Sequence, residues 1–191
     1  DKNFTLTGNI DLSGYENWVP VSTFTGTFDG AGYTISNVHV AVIASVHSGL
    51  FGATNGATIK NLGLTDVNVS QTAAGYPSLG SLVGAATGST IDNVSVRGAV
   101  VASKTYAGGL VGNAGNSKIT NCSVEAKIDG APAGSQHGGI AGTNSAGGLI
   151  ENCIAAGSVA PGMSTGGIIG QSNGNVSNCI ALNTLDGTQN T

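Results

Sequence analysis

The chain has 191 residues, of which only 8% are charged and 32 are glycine, and its formal net charge is −4. An ordinary domain has roughly 25% charged residues and about 7% glycine, so both values are unusual. With 6 basic residues the chain lacks the basic surface typical of binding to nucleic acids or anionic membranes. No apolar stretch reaches the roughly 18 to 20 residues that a membrane span requires.

The first 34 residues differ in composition from the rest. They hold the only tryptophan, Trp18, and three of the four phenylalanines, Phe4, Phe24 and Phe28. Terminal units of repeat proteins are atypical because they must close the core against water. We therefore expect residues 1–34 to form an N-terminal capping coil, with an aromatic ligand platform as the alternative.

Two short phrases recur along the chain. The first is rich in glycine and occupies residues 49–52, 80–84, 108–112, 138–142 and 166–170. Its last glycines lie at 52, 84, 112, 142 and 170, so the steps are 32, 28, 30 and 28 residues. The second phrase has asparagine as its third residue and occupies residues 35–38, 59–62, 91–94, 119–122, 150–153 and 176–179. A period in this range predicts stacked units that share one continuous core.

Apolar residues alternate with period two after each asparagine, as in strands with one buried face. In the third unit we expect Val94, Val96, Gly98 and Val100 to point inward. The second unit changes phase, which predicts a bulge or corner near residues 65–66. With three short strands in each unit, the sequence predicts an all-β parallel β-helix, or β-solenoid, of about six coils.

The whole chain is predicted to be one β-solenoid domain. Residues 35–183 form the repeats, and residues 184–191 form a tail or a linker to further coils. Because the last coil shows no closing segment, we expect its open edge to permit self-association. The chain begins with Asp1 rather than methionine, which we interpret as a piece of a longer protein.

The repeated asparagines are predicted to form a structural ladder. Each amide would bond backbone or the next asparagine, at an inward or corner position. The predicted members are Asn37, Asn61, Asn93, Asn121, Asn152 and Asn178.

The three cysteines directly follow repeat asparagines. Cys122, Cys153 and Cys179 replace the small apolar residues of earlier units, so we expect a buried column. Neighbouring coils lie about 4.8 Å apart, which leaves a disulfide possible, but a buried column of thiols is favoured.

Patterns for catalysis and for metal or cofactor binding are not found. His39, His47 and His137 are not part of a His-Glu-x-x-His motif, and the glycine phrases do not open a helix. Asp92 and Glu151 are predicted to share an outward row two coils apart, about 9.6 Å, near the limit for an inverting carboxylate pair. A solvated face explains this row better. We predict no catalytic residue, no metal site and no cofactor.

One set of side chains is a candidate ligand face. Tyr76, Tyr106 and His137 lie at comparable places before successive glycine phrases. Stacking could align them in a stripe, and aromatic and polar side chains together suit sugars. Candidate partners are therefore host or bacterial glycans or surface proteins.

The glycine phrase with Ile-x-Asn-Cys behind it, as at residues 108–112 and 119–122, resembles the GLUG motif of bacterial cell-surface proteins. Residues 24–35 resemble the opening coil that commonly precedes such repeats. The resemblance spans roughly residues 4–183. It implies a right-handed parallel β-helix in secreted or cell-surface proteins, including adhesin-like proteins and the non-catalytic region of IgA-specific metallopeptidases. The motif has no catalytic residues of its own.

The favoured function is a non-enzymatic extracellular module of a larger bacterial adhesin-like protein, acting as a stiff scaffold or an adhesion segment. Two alternatives remain open. One is a carbohydrate-binding or polysaccharide-processing β-helix that uses the candidate ligand face. The other is the accessory region of a secreted, host-directed metallopeptidase.

Overall fold

The computed structural model describes residues 2–42, 47–71, 77–103, 105–130 and 135–185. The strands of the first half are β1 Phe4–Thr5, β2 Ile10–Asp11, β3 Thr27–Asp29, β4 Thr34–Ser36, β5 His39–Val42, β6 Phe51–Asn55, β7 Thr58–Thr65, β8 Asn68–Gln71, β9 Ser78–Gly80, β10 Val83–Thr87 and β11 Thr90–Ser103. Those of the second half are β12 Tyr106–Gly108, β13 Val111–Ala114, β14 Lys118–Thr120, β15 Ser123–Gly130, β16 Gln136–Gly138, β17 Ala141–Asn144, β18 Leu149–Glu151, β19 Ile154–Val159, β20 Ser164–Gly166, β21 Ile169–Ser172, β22 Asn175–Ser177, β23 Ile180–Ala181 and β24 Thr184–Leu185.

These strands form a parallel β-solenoid of about five turns, which confirms the predicted fold class. Strands β6, β10, β13, β17 and β21 form one wall, and β9, β12, β16 and β20 form a second. The remaining strands belong to a fifteen-stranded sheet that turns a corner. Within the described ranges, no helix is long and apolar enough to cross a membrane.

Equivalent side chains of successive coils stack in columns inside the solenoid. One column contains Ile59, Ile91, Ile119 and Ile150, which pair in register and are fully buried. β-Branched side chains suit the half-buried surface of a pleated strand. Because the same residue type recurs in each coil, neighbouring coils pack without changes in volume, and the columns form the core.

The strand corners depend on residues with a left-handed backbone. Strand β7 ends at Thr65, and Asp66 follows with φ +53°, which confirms the corner predicted near residues 65–66. In the next coil Gly98 takes that role with φ +64°. At this corner β11 has one residue more than its partner strand β15. The register between the two strands therefore shifts between Val96 and Ala99, and Ala99 faces inward.

The predicted inward phase is therefore wrong beyond Val96. Gly98 is exposed and Val100 is half-buried, whereas Val101 is fully buried. The physical reason is the corner at Gly98, which reverses the alternation of the strand that follows.

Aromatic side chains pack at the N-terminal end. The Phe24 and Phe51 ring centroids are 5.2 Å apart, and those of Phe28 and Phe51 are 5.6 Å apart. The Trp18 indole donates a hydrogen bond to the Leu50 carbonyl oxygen at 3.0 Å, so its polar group is satisfied. The division into capping coil, repeats and tail stays a prediction, and residues 186–191 of the tail lie outside the described residues.

Candidate functional site

Asparagines turn the chain at one corner of every middle coil. Asn61, Asn93, Asn121 and Asn152 have φ between +53° and +56°, a conformation that asparagine tolerates better than most residues. The Asn93 amide donates to Asn61 Oδ1 at 2.9 Å, and the Asn152 amide donates to Asn121 Oδ1 at 3.3 Å. The asparagines thus lie at an outer corner rather than in the core. Asn178, with φ +52°, occupies the same corner in the last coil.

The structure places Asn37 at a different corner. Ile35 and Ser36 pair with Leu64 and Thr65, so Asn37 corresponds to Asp66 rather than to Asn61. Its amide donates to Asp11 Oδ1 at 2.8 Å. The predicted equivalence of six asparagines is therefore wrong for Asn37, because the phrase Ile-x-Asn occurs at both corners.

Carboxylates of the second and fourth coils bond to the asparagine corner. Asp92 accepts hydrogen bonds from the Thr120 hydroxyl at 2.6 Å and the Asn121 amide at 2.7 Å. These bonds, the Thr120 bond first, lower the pKa of Asp92 below its ordinary value. A lowered pKa keeps the carboxylate ionised, which is opposite to the raised pKa expected of a general acid.

Asp29 has the same role one turn before the first ladder asparagine. It accepts from the Ala31 backbone N–H at 2.9 Å and from the Asn61 amide at 3.1 Å, and these bonds lower its pKa. Lys60 Nζ lies 3.3 Å from Asp29 Oδ2. Asp29 and Asp11 were not predicted from the sequence, although an aspartate followed two residues later by a turn residue signals this local bond.

The predicted outward row is present. Lys60, Asp92, Thr120, Glu151 and Ser177 pair in register in five successive coils. Glu151 Oε1 accepts a hydrogen bond from the Ser177 hydroxyl at 3.1 Å. Both acidic residues of the row thus bond to side chains of the following coil.

A polar groove of about 190 Å³ runs along the asparagine corner. We call it the corner groove, and its polar side chains are those of Thr34, Asn61, Asn93, Ser95, Asn121 and Ser123. Amides and hydroxyls in this arrangement offer both donors and acceptors to a neutral polar ligand. The groove was not predicted from the sequence, because its shape depends on how the corners stack.

The candidate ligand face of Tyr76, Tyr106 and His137 does not form as predicted. Tyr106 pairs with Gln136, while His137 pairs with Ala107, so the two side chains are one residue out of step. Tyr106 is half-buried at the surface, but His137 is fully buried in a column with Leu79. Tyr76 lies outside the described residues.

The imidazoles of His137 and His47 both have a lowered pKa. Desolvation is the largest cause for each, although His137 is fully buried and His47 is exposed at the surface. His137 Nδ1 lies 3.0 Å from the Ala160 carbonyl oxygen, and His47 Nδ1 accepts the Ser78 backbone N–H at 3.1 Å. Both rings therefore favour the neutral form at physiological pH and cap backbone groups between coils.

The cysteine column is confirmed. Cys122 and Cys153 are buried and Cys179 is half-buried, and all three are free thiols. Each thiol lies 3.1 to 3.2 Å from the carbonyl oxygen two residues earlier. The hydrogen bond with Cys153, together with burial, raises the pKa of Cys122. Among the described residues, no group of three or more His, Cys, Asp and Glu side chains could hold a metal ion.

Comparison of the sequence with known protein families identifies the family of this chain. The family model of the M26 IgA1-specific metallo-endopeptidase N-terminal region matches residues 3–98, which is half of the chain. The chain belongs to this family. A second model, the GLUG motif, matches residues 104–129 and confirms the resemblance seen in the sequence.

Two curated proteins are similar to this chain. Halomucin of Haloquadratum walsbyi is 33% identical over 164 residues, covering 83% of this chain and 2% of the relative. The immunoglobulin A1 protease of Streptococcus sanguinis is 39% identical over 104 residues, covering 54% of this chain and 5% of the relative. The chain therefore spans a small part of each.

A solved structure shares the fold. The crystal structure of a Bacteroides ovatus protein described as a candidate immunoglobulin A1 protease superposes with a TM-score of 0.78 at 26% identity. The match covers 96% of this chain and 60% of that protein. The relatives support a non-catalytic surface or accessory module as the general class of this chain.

Proposed function

We propose that this chain is a stiff, non-catalytic spacer in an extracellular protein of the M26 N-terminal type. The observation that carries the proposal is the use of polar side chains to join coils. Asp29 bonds to Asn61, Asn61 to Asn93, and Asp92 to Asn121, each across one coil boundary. The carboxylates of Asp29, Asp92 and Glu151 are thus bonded to side chains of the following coil rather than directed at a substrate.

The hydrophobic columns support the same function. A column such as Ile59 to Ile150 makes every coil depend on its two neighbours, which resists bending and local opening. A module of this kind sets a fixed distance between the segments on either side of it. In an IgA1 protease such a distance could separate a catalytic unit from the cell surface, and in an adhesin it could project a binding unit.

The test is a display experiment on a bacterial surface. The chain is inserted between a wall anchor and a peptide epitope. Antibody access to the epitope is compared with that of a flexible Gly-Ser linker of about 30 residues, whose root-mean-square length matches the roughly 30 Å of the stacked coils. A variant without residues 91–118, one coil of 28 residues in the observed register, is the matched length control. The proposal predicts better access with the chain than with the linker, and a reduction on removing the coil.

The enzymatic alternative is tested on the same protein. The purified chain is incubated with human IgA1 and with peptides of its hinge, and the products are resolved by mass spectrometry. Intact substrate is expected. Cleavage that persists after repurification would overturn the non-catalytic proposal.

The corner groove favours a second candidate function, glycan binding. Its amides and hydroxyls match the hydrogen-bonding groups of neutral sugars. The test is a glycan array probed with the wild-type chain and a Ser95→Val, Ser123→Val variant, with Thr143→Val on another wall as the control. Binding that the groove variant loses and the control keeps would support a lectin-like module. Equal binding by all three proteins would contradict a site in the groove.

A further inference from the structure

The corner groove repeats one pair of polar side chains in successive coils. Ser95 of β11 pairs in register with Ser123 of β15, and both line the groove. Two residues before each serine lies an asparagine of the corner, Asn93 in one coil and Asn121 in the next, with φ +53° and +56°. Each coil therefore places one amide and one hydroxyl at the groove, a coil step of about 4.8 Å from the next pair.

The coil before β11 completes the groove in a different way. Gly63 pairs with Ser95 and has no side chain to offer. A Cβ at Gly63 would lie only 2.6 Å from Thr34 Oγ1, so the Thr34 hydroxyl of the neighbouring coil occupies the place of the missing serine. Asn61 keeps the corner position in this coil. A row of hydroxyls and a row of amides therefore run beside each other along the axis.

Several polar atoms of these rows are open to a ligand. The Asn121 amide donates to Asp92 Oδ1 at 2.7 Å rather than to Asn93, so the asparagine ladder is interrupted between these two coils. In the part of the chain that the structure describes, Asn93 Oδ1 and the hydroxyls of Ser95 and Ser123 have no hydrogen-bond partner. An amide oxygen accepts hydrogen bonds and a hydroxyl both donates and accepts them, as the hydroxyls of a sugar do.

The shape of the groove favours a long ligand over a compact one. Residues from four coils line it, and three coil steps of about 4.8 Å give it a length of roughly 14 Å. Its volume of about 190 Å³ is small for that length, so the groove is a shallow channel that contacts a ligand along one edge. None of the described residues that line it is charged.

From these observations we propose that the corner groove binds a neutral, linear polysaccharide that lies along the solenoid axis with one sugar unit at each coil. A pyranose chain with β-1,4 links advances by nearly one coil step for each unit, so the same contacts repeat from unit to unit. An extended peptide advances only about 3.3 Å for each residue and falls out of step with the coils. This inference rests on the proposed glycan function of the groove and adds the form of the ligand.

The experiment measures how affinity depends on ligand length. Calorimetric titration of the whole chain uses β-1,4-linked oligomers of glucose, mannose, xylose and N-acetylglucosamine, each from one to six units. For at least one of these sugars, each unit up to the fourth is expected to strengthen binding about fivefold, the effect of one added hydrogen bond, and further units should add nothing.

Two coil deletions test the register of the ligand on the coils. Removal of residues 91–118 deletes one coil of the groove, so the affinity should level off at three units instead of four. Removal of residues 149–174 deletes a coil outside the groove and is the matched control, which should keep the limit of four units. Circular dichroism checks that both variants are folded. If either is unfolded, Ser95→Val replaces them and should weaken binding of the four-unit oligomer about fivefold.

The outcomes separate this inference from the function on which it rests. Binding that does not grow with the number of units would leave glycan binding in place and overturn the linear ligand. A limit of four units that persists without residues 91–118 would overturn it as well. No binding of any oligomer would overturn both the inference and the glycan function of the groove. Tighter binding of an uncharged peptide of Gly, Ser and Asn than of every oligomer would contradict the assignment to a sugar.

Discussion

At the scale of single residues, Asn121 shows why this corner requires asparagine. Its backbone has φ +56°, its amide donates to Asp92 at 2.7 Å, and its Oδ1 accepts from Asn152 at 3.3 Å. Left-handed backbone costs other L-residues roughly 1–2 kcal/mol. The residue type is thus selected by the backbone conformation as well as by the ladder.

Substitutions at Asn121 separate these two contributions. Asn121→Gly keeps the backbone conformation and loses the amide bonds, so we expect it to reduce the free energy of unfolding by about 1 kcal/mol or less. Asn121→Val adds backbone strain and should cost about 1 to 2 kcal/mol more. Urea unfolding measures the difference. Equal stability of the two variants would contradict a role for the positive φ.

The cysteine column predicts an order of thiol reactivity. Cys179 is half-buried in the last coil, whereas Cys122 and Cys153 are enclosed, and burial raises the pKa of Cys179 as the largest effect on that thiol. We expect Ellman's reagent to modify Cys179 first and slowly, and the other two only after unfolding. Rapid reaction of all three thiols in the native protein would contradict the buried column.

The lowered pKa values of two histidines predict a loss of stability in acid. Burial lowers the pKa of His47 and His137 below the ordinary 6.5, so the unfolded state binds more protons as the pH falls below that value. Their contribution to stability is present above pH 6.5 and is lost as the pH falls from there toward the lower pKa of the folded state. The aspartates Asp11, Asp29 and Asp92 act in the same sense below their ordinary pKa of 3.8.

The variant His137→Leu tests this interpretation. Leucine occupies the same column at Leu79, so the variant retains apolar packing and removes one titrating group. We expect its free energy of unfolding to fall less than that of the wild type between pH 7.5 and pH 5. An unchanged pH dependence would show that His137 does not contribute.

At the scale of elements, the corner between β7 and β8 recurs inside β11 at Gly98. Asn37, Asp66 and Gly98 hold it in three successive coils with φ between +53° and +64°. We expect Gly98→Asn to be tolerated, since Asn37 occupies this corner two coils earlier. Gly98→Val should cost about 1 to 2 kcal/mol in a thermal or urea unfolding experiment. A neutral valine variant would contradict the assignment of this corner.

The repeated phrases are sufficient to predict the fold, the cysteine column and the outward row from Lys60 to Ser177. They do so because stacking requires equivalent residues at equivalent places. Which residues point inward beyond Gly98 could not be predicted. The extra residue of β11 at this corner becomes apparent only when β11 and β15 are aligned in space. Asn37 was misplaced because one three-residue phrase serves two corners.

The prediction that Tyr106 and His137 share one face is wrong for a related reason. Tyr106 and His137 are comparable in sequence but one residue out of step in the stacked strands, and this difference places one at the surface and the other in the core. The corner groove, in contrast, is formed by residues from four coils. Its existence follows from the stacking of corners, which a single-residue pattern does not encode.

At the scale of the whole molecule, the proposed spacer is a rod of fixed length. Lys60 and Ser177 lie in one outward row and are separated by four coil steps. At about 4.8 Å for each step, the row spans roughly 19 Å along the axis. Bonds between coils at the corners and continuous columns in the core both oppose any change in this distance.

The most direct measurement of this claim is a double electron–electron resonance distance between spin labels at Lys60→Cys and Ser177→Cys. The background carries Cys122→Val, Cys153→Val and Cys179→Val, since valine is present in the same column at Val94. We predict a single narrow distribution, which shortens by about 4.8 Å when residues 91–118 are removed. A broad distribution, or one that the removal of a coil leaves unchanged, would contradict the stiff spacer.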